Sequence, residues 1–166
     1  MAVTFDELIE QFNNVVTVIE CDLYENTGDY GMFAMRHDLP FIFIERNQPE
    51  IDKKMMLVEE FKHMMTSYGV ILKQNSTDQI KQENKARGLT YKQLVTMDQL
   101  FECYIAGTES EYEIAEELDV PQEFLHNAIE YFKETTDGPI KLDNGYIAII
   151  NDTIQFYKTD DHRKAK

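Results

Sequence analysis

Glu59, Glu60 and His63 fall within five residues of one another in the segment Val58-Glu-Glu-Phe-Lys-His-Met-Met-Thr-Ser-Tyr-Gly69. Residues four apart share one face of a helix, so Glu59 and His63 would present a carboxylate and an imidazole side by side, with Glu60 one step round. This is the spacing of the zinc-binding pattern H-E-x-x-H, in which two side chains grip the metal and the Glu between them deprotonates a water. Here Glu59 stands where that pattern has its first His. Carboxylate oxygen is an acceptable zinc ligand, although zinc prefers nitrogen or sulfur, so the change re-tunes such a site without abolishing it. An acid-acid-x-x-His string arises by chance in roughly one chain in seven of this composition, so the spacing alone equally describes a solvated acidic helix face.

Other chemistry-bearing residues lie around this segment. Lys62, beside His63, could favour ionised carboxylates or face a developing oxyanion; on an exposed face it is merely solvated. Tyr68 and Tyr91 could donate to an oxyanion, and equally could be core tyrosines with wet tips. His37 sits in an expected hairpin turn and is retained as a substrate or oxyanion contact, whereas His126 and His162 lack ligand spacing. Met55, Met56, Met64 and Met65 recur at helical spacing as core or pocket lining.

The elements that must position these residues can be read from punctuation and period. Thr4 and Glu7 form a capping-box signature ahead of Phe5, Leu8, Ile9 and Phe12, which predicts a short opening helix. Two apolar runs, Gly31-Met-Phe-Ala-Met35 and Phe41-Ile-Phe-Ile44, flank Arg36-His-Asp-Leu-Pro40 and predict a strand pair around a turn. Helical spacing follows over 51–67, 79–94, 97–104, 110–118 and 121–133. Residues 140–157 alternate in β fashion around Asp143-Asn-Gly145 and Asn151-Asp-Thr153, predicting a C-terminal β-hairpin. The whole is an α+β chain: residues 1–107 as a core, 108–134 as a helical lobe with a helix-turn-helix-like outline, and 135–166 as hairpin and tail.

The run from Leu57 to Phe132 resembles the ImmA/IrrE family of metallo-endopeptidases, particularly its phage and mobile-element members. The resemblance lies in Glu59-Glu-Phe-Lys-His63 with Thr66-Ser-Tyr-Gly69, then Lys81-Gln-Glu-Asn-Lys-Ala-Arg87, Tyr91-Lys-Gln-Leu94 and Ile114-Ala-Glu-Glu-Leu-Asp-Val-Pro121. Phage-type relatives commonly carry a Glu-Glu pair at this place. The chain departs from the family at Lys62, where glycine is usual, and at Gly88-Leu-Thr90, where a bulkier segment is common. The resemblance implies a small strand pair on a helical zincin-like core, with Glu59, His63 and Glu83 as metal ligands and Glu60 as general base. It further implies zinc, with manganese as the alternative, and a regulatory protein, a transcriptional repressor of the element, as substrate. The alternative function is an antirepressor or adaptor with a decayed site that binds a regulator without cleaving it.

Composition narrows the partners. The 166 residues carry 31 acids against 16 Lys and Arg, a net charge of −15, so nucleic acid is a poor expected partner. Over residues 108–134 nine acids face one lysine, the reverse of what a DNA-reading helix pair needs. No apolar stretch approaches the roughly 18 residues that span a bilayer, so no membrane role is expected. Two cysteines, Cys21 and Cys103, make no disulfide framework, and the opening residues lack a signal-peptide pattern. A cytoplasmic location is the expectation.

Overall fold

The computed structural model describes residues 1–72, 85 and 88–159, with backbone alone at 68–72. The fold is α+β, and the chain divides into two compact units, Val3–Leu94 and Val95–Lys166, the latter taking in Met1–Ala2.

In the first unit, helix α1 (Phe5–Phe12) starts where its capping box says it should. The Thr4 hydroxyl accepts from the Glu7 amide at 3.2 Å, and the Glu7 carboxylate accepts from the Thr4 amide at 2.8 Å. Strand β1 (Thr17–Cys21) and a single helical turn α2 (Tyr24–Thr27) follow, then β2 (Gly31–Arg36), β3 (Leu39–Glu45) and the long helix α3 (Glu50–Leu72). Residues 85 and 88–94 are helical.

The expected strand pair is a three-stranded sheet of order β1-β3-β2. β1 runs parallel to β3, with Val18 opposite Ile42, and β2 runs antiparallel to it, with Phe33 opposite Ile42. The β2–β3 turn is two residues, not five: His37 and Asp38 both take positive φ, at 51° and 62°, which is the primed turn that matches strand twist. Pro40 therefore lies inside β3, and its missing amide faces the side on which pairing to β1 stops at Phe41.

Helix α3 packs on β2 and β3 through Leu57, Phe61 and Met64, spaced four and three apart and all buried. Phe61 also meets Phe12 of α1, ring centroids 4.3 Å apart. Ile42 and Ile44 complete this core. Glu45, at the end of β3, is buried with a job: its carboxylate accepts from the Tyr24 amide at 2.7 Å and the Asn47 amide at 2.9 Å, satisfying the first turn of α2. Those amides hold its pKa below the ordinary carboxylate value.

The second unit holds α4 (Met97–Ala106), α5 (Glu111–Glu117) and α6 (Gln122–Thr135). Capping boxes start α4 (Thr96 with Gln99) and α5 (Ser110 with Glu113), and Gly107 at φ 78° ends α4. The expected C-terminal hairpin is a three-stranded antiparallel meander, β4 (Ile140–Lys141), β5 (Tyr146–Ile150) and β6 (Ile154–Lys158), because Ile140 and Lys141 pair with Ala148 and Ile147. Phe101 of α4 packs against Tyr146 at 4.7 Å and Phe156 at 5.3 Å, so this helix and the sheet share a core. The boundary between the two compact units falls between Leu94 and Val95. Among the described residues no helix is long and apolar enough to cross a membrane.

Candidate functional site

Burying Leu57, Phe61 and Met64 fixes the rotation of α3 and so decides which way the charged residues between them point. Glu59 and His63 fall on the exposed side, one helical turn apart. Glu59 Oε1 and His63 Nε2 are 3.4 Å from each other, with side-chain exposures of 51% and 59%. Two ligands of a tetrahedral zinc with bonds of about 2.0–2.1 Å stand about 3.3–3.4 Å apart, so this spacing fits two neighbouring corners of a coordination sphere without rearrangement. It is also the spacing of an ordinary i, i+4 ion pair.

Glu60 lies one step round the helix, toward the sheet. Its Oε2 accepts a hydrogen bond from the Phe33 amide at 2.9 Å. In the β2–β3 ladder Phe33 occupies a position whose amide faces away from β3, so Glu60 takes up a free donor on the edge of the sheet. Burial pushes the Glu60 carboxyl above its ordinary pKa. Glu59 and Asp29 add to this, while His63 and the Phe33 amide pull the other way. The helix approaches β2 closely at Gly31: a Cβ there would sit 3.2 Å from Glu60 Cγ and 3.4 Å from Met56 Cβ. A residue without a side chain at Gly31 is thus what lets the Glu60 carboxylate lie against the strand.

The remaining candidates are placed as follows. His37 occupies the tip of the β2–β3 turn and is exposed. Tyr68 is on the last turns of α3, its side chain outside the described residues, and Glu83 and His162 also lie outside them. Tyr91 is buried and Lys62 half-buried. Met64 belongs to the core, while Met55 and Met56 line a cavity of about 370 Å³ with Tyr30, Pro49 and Asp52, next to the Gly31 approach. Among the described residues no group of three His, Cys, Asp or Glu side chains converges to hold a metal.

The structure therefore brings together Glu59, His63 and, beside them, Glu60. The two partners that sequence reasoning missed are backbone features, the Phe33 amide and the bare Cα of Gly31. The only signal for either was a glycine opening an apolar run, and nothing local ties it to a residue 29 positions later. Chemically, the arrangement offers an exposed nitrogen–oxygen donor pair and a half-buried carboxylate with one oxygen anchored by the Phe33 amide. No family model, curated protein or solved structure matches this chain.

Proposed function

We propose that the chain is a zinc-dependent endopeptidase that cleaves a regulatory protein, a transcriptional repressor of a phage or mobile element, in the cytoplasm. The observation that carries this reading is the Glu59–His63 pair at 3.4 Å, set on an exposed helix face with Glu60 immediately behind it. Glu59 and His63 would hold the metal, and the resemblance described above supplies Glu83 as the third ligand and the repressor as substrate. A donor set with two carboxylates would accept manganese as well as zinc.

When bound, such an ion supplies Lewis acidity, polarising the scissile carbonyl and bringing the pKa of water toward neutrality. The work of the chain is then proton handling. Anchored through Oε2 to the Phe33 amide, Glu60 keeps a fixed direction; it takes the proton of the attacking water and delivers it to the leaving amine. Lys62 and His37 have no assigned step.

Metal content and repressor cleavage, measured together for the wild type and two variants, test this. Wild type is expected to hold one zinc per chain and to cleave. Glu60→Gln should hold zinc and not cleave, because an amide keeps the shape but accepts no proton. His63→Ala should lose both, since it removes the sole nitrogen ligand. If Glu60→Gln relieves repression as well as wild type, the function is sequestration of a basic regulator. That second reading is favoured by the acidity of residues 97–135, where eleven acids accompany one lysine.

A further inference from the structure

The second unit contains a cavity of about 310 Å³ to which the candidate metal site contributes nothing. Leu100 of α4, Ile114 of α5, Ile129 of α6, and Ile154 and Phe156 of β6 form its walls, so three helices and one strand converge on an apolar hollow open to the surface. This is the small end of ligand-pocket sizes, which run about 300–1,000 Å³, with room for a large apolar side chain. The rim has a different character. Glu109, Glu111 and Asp152 surround the mouth with carboxylates and no cationic residue lines it.

Two of the three rim acids have partners: Glu111 lies 3.3 Å from His126 and Asp152 lies 3.6 Å from Lys133, all of them substantially exposed. Tyr104, which lines the cavity, is 50% exposed, so an aromatic edge stands open at the mouth. A half-exposed aromatic side chain beside a central apolar pocket is the anatomy of a protein interface with an anchoring residue. The charge selects the partner. With eleven acids and one lysine over 97–135, this unit repels acidic chains, phosphate backbones and anionic membranes alike.

We infer that this cavity is the docking site for a basic segment of a partner protein, which seats one leucine- or phenylalanine-sized side chain between α4, α5, α6 and β6 and sets its lysines or arginines against Glu109, Glu111 and Asp152. The site is independent of the proteolytic reading: a protease would use it to hold its substrate away from the cleaved bond, and a sequestering protein would use it to hold its target. Failure of metal binding leaves it standing, and its own failure leaves the metal site standing.

The test is a fluorescence-anisotropy titration of the full chain with three labelled peptides of helical spacing. One is lysine- and arginine-rich with leucine anchors, the second has those leucines replaced by serine, and the third has its basic residues replaced by glutamate. The first should bind, and more weakly as salt rises from about 0.05 to about 0.5 M. The second should bind at least about tenfold more weakly, as expected of a lost anchor, and the third not at all. Thr153→Trp, at an exposed turn position that lines the mouth, should fill the hollow and cost about tenfold for the leucine peptide only. Glu109→Lys with Asp152→Lys should weaken both basic peptides, and circular dichroism checks the fold of each variant. The charge-reversed variant alone decides the matter if Thr153→Trp misfolds. Equal affinity for the leucine and serine peptides, unchanged binding by the charge-reversed variant, or no binding by wild type up to about 100 μM overturns the inference.

Discussion

Replacing Gly31 by alanine should couple strongly to Glu60, and the sign of its effect should depend on what residue 60 is. A methyl group at Gly31 would stand 3.2 Å from Glu60 Cγ, 3.5 Å from its Oε1 and 3.4 Å from Met56 Cβ. The last is ordinary van der Waals contact, so the conflict is with Glu60. That side chain is tethered by the Phe33 amide at 2.9 Å and can retreat only by lengthening the bond. Overpacking of this kind costs about 1–3 kcal/mol, against which alanine regains about 0.4–1 kcal/mol by restricting the unfolded chain. The net expectation is a loss of about 1 kcal/mol, or about 4–8 °C in the melting of a unit of this size. In a Glu60→Ala background the obstructing Cγ is gone, and the same substitution should stabilise by about 0.4–1 kcal/mol. The four proteins of the cycle, unfolded in urea and followed by circular dichroism, should give a coupling energy of about 1–2 kcal/mol. Amide exchange adds a local readout, because protection of the Phe33 N–H should fall in Gly31→Ala alone among the β2 amides. Additivity within about 0.5 kcal/mol would refute the close approach of α3 to β2 and the anchored geometry of Glu60 with it.

Two further outcomes follow from the same structure. The folded Glu45 carboxyl has a depressed pKa, so the stability it contributes is present above its unfolded value, near the usual carboxylate range, and is lost as pH falls through the lower folded value. Urea midpoints measured from pH 6 down to pH 3 should therefore fall less steeply in Glu45→Gln than in wild type; parallel curves would show that the Tyr24 and Asn47 amides do not depend on its charge. Retardation of duplex DNA at low salt should show no salt-sensitive complex, because residues 108–134 carry nine acids and one lysine; a tight complex that weakens with added salt would overturn the structural assignment of that helix pair.

Where local chemistry encodes an element, the sequence is a sufficient guide. Thr4 with Glu7 and Ser110 with Glu113 mark helix starts because the same side chains that make the pattern make the hydrogen bonds. The period of Leu57, Phe61 and Met64 likewise puts Glu59 and His63 on a shared outward face. Strand β1 went unread although Val15-Val-Thr-Val-Ile19 is a β-branched run after the turn at 13–15; its partner is parallel and 24 residues later, so no hairpin pattern pointed to it. A two-residue strand such as Ile140–Lys141 carries too little alternation to distinguish a meander from a hairpin. Pairing of Glu59 with His63 is a spacing and could be read. The anchoring of Glu60 is a contact across 27 residues, created by the fold, and could not. Glu83 enters only through family resemblance, since no period links it to α3.

The order β1-β3-β2 also dictates a sequence of events in time. The β2–β3 hairpin closes through two residues, with Arg36 opposite Leu39, and such hairpins form in about 1–10 μs. β1 joins through Thr17 and Phe41, a separation eight times longer, which adds about 2 kcal/mol of loop-closure entropy and is repaid only once β3 is already in place. On each folding attempt there is thus an interval in which Phe41-Ile-Phe-Ile44 offers a bare strand edge, apolar and without charge, to any neighbouring chain. During synthesis that interval begins once β3 can pair with β2, and β1, made earlier, competes with other nascent chains for the same edge. Substitutions in Thr17–Cys21 that leave the folded site untouched should accordingly lower soluble yield, making this early strand a guardian of β3 against aggregation.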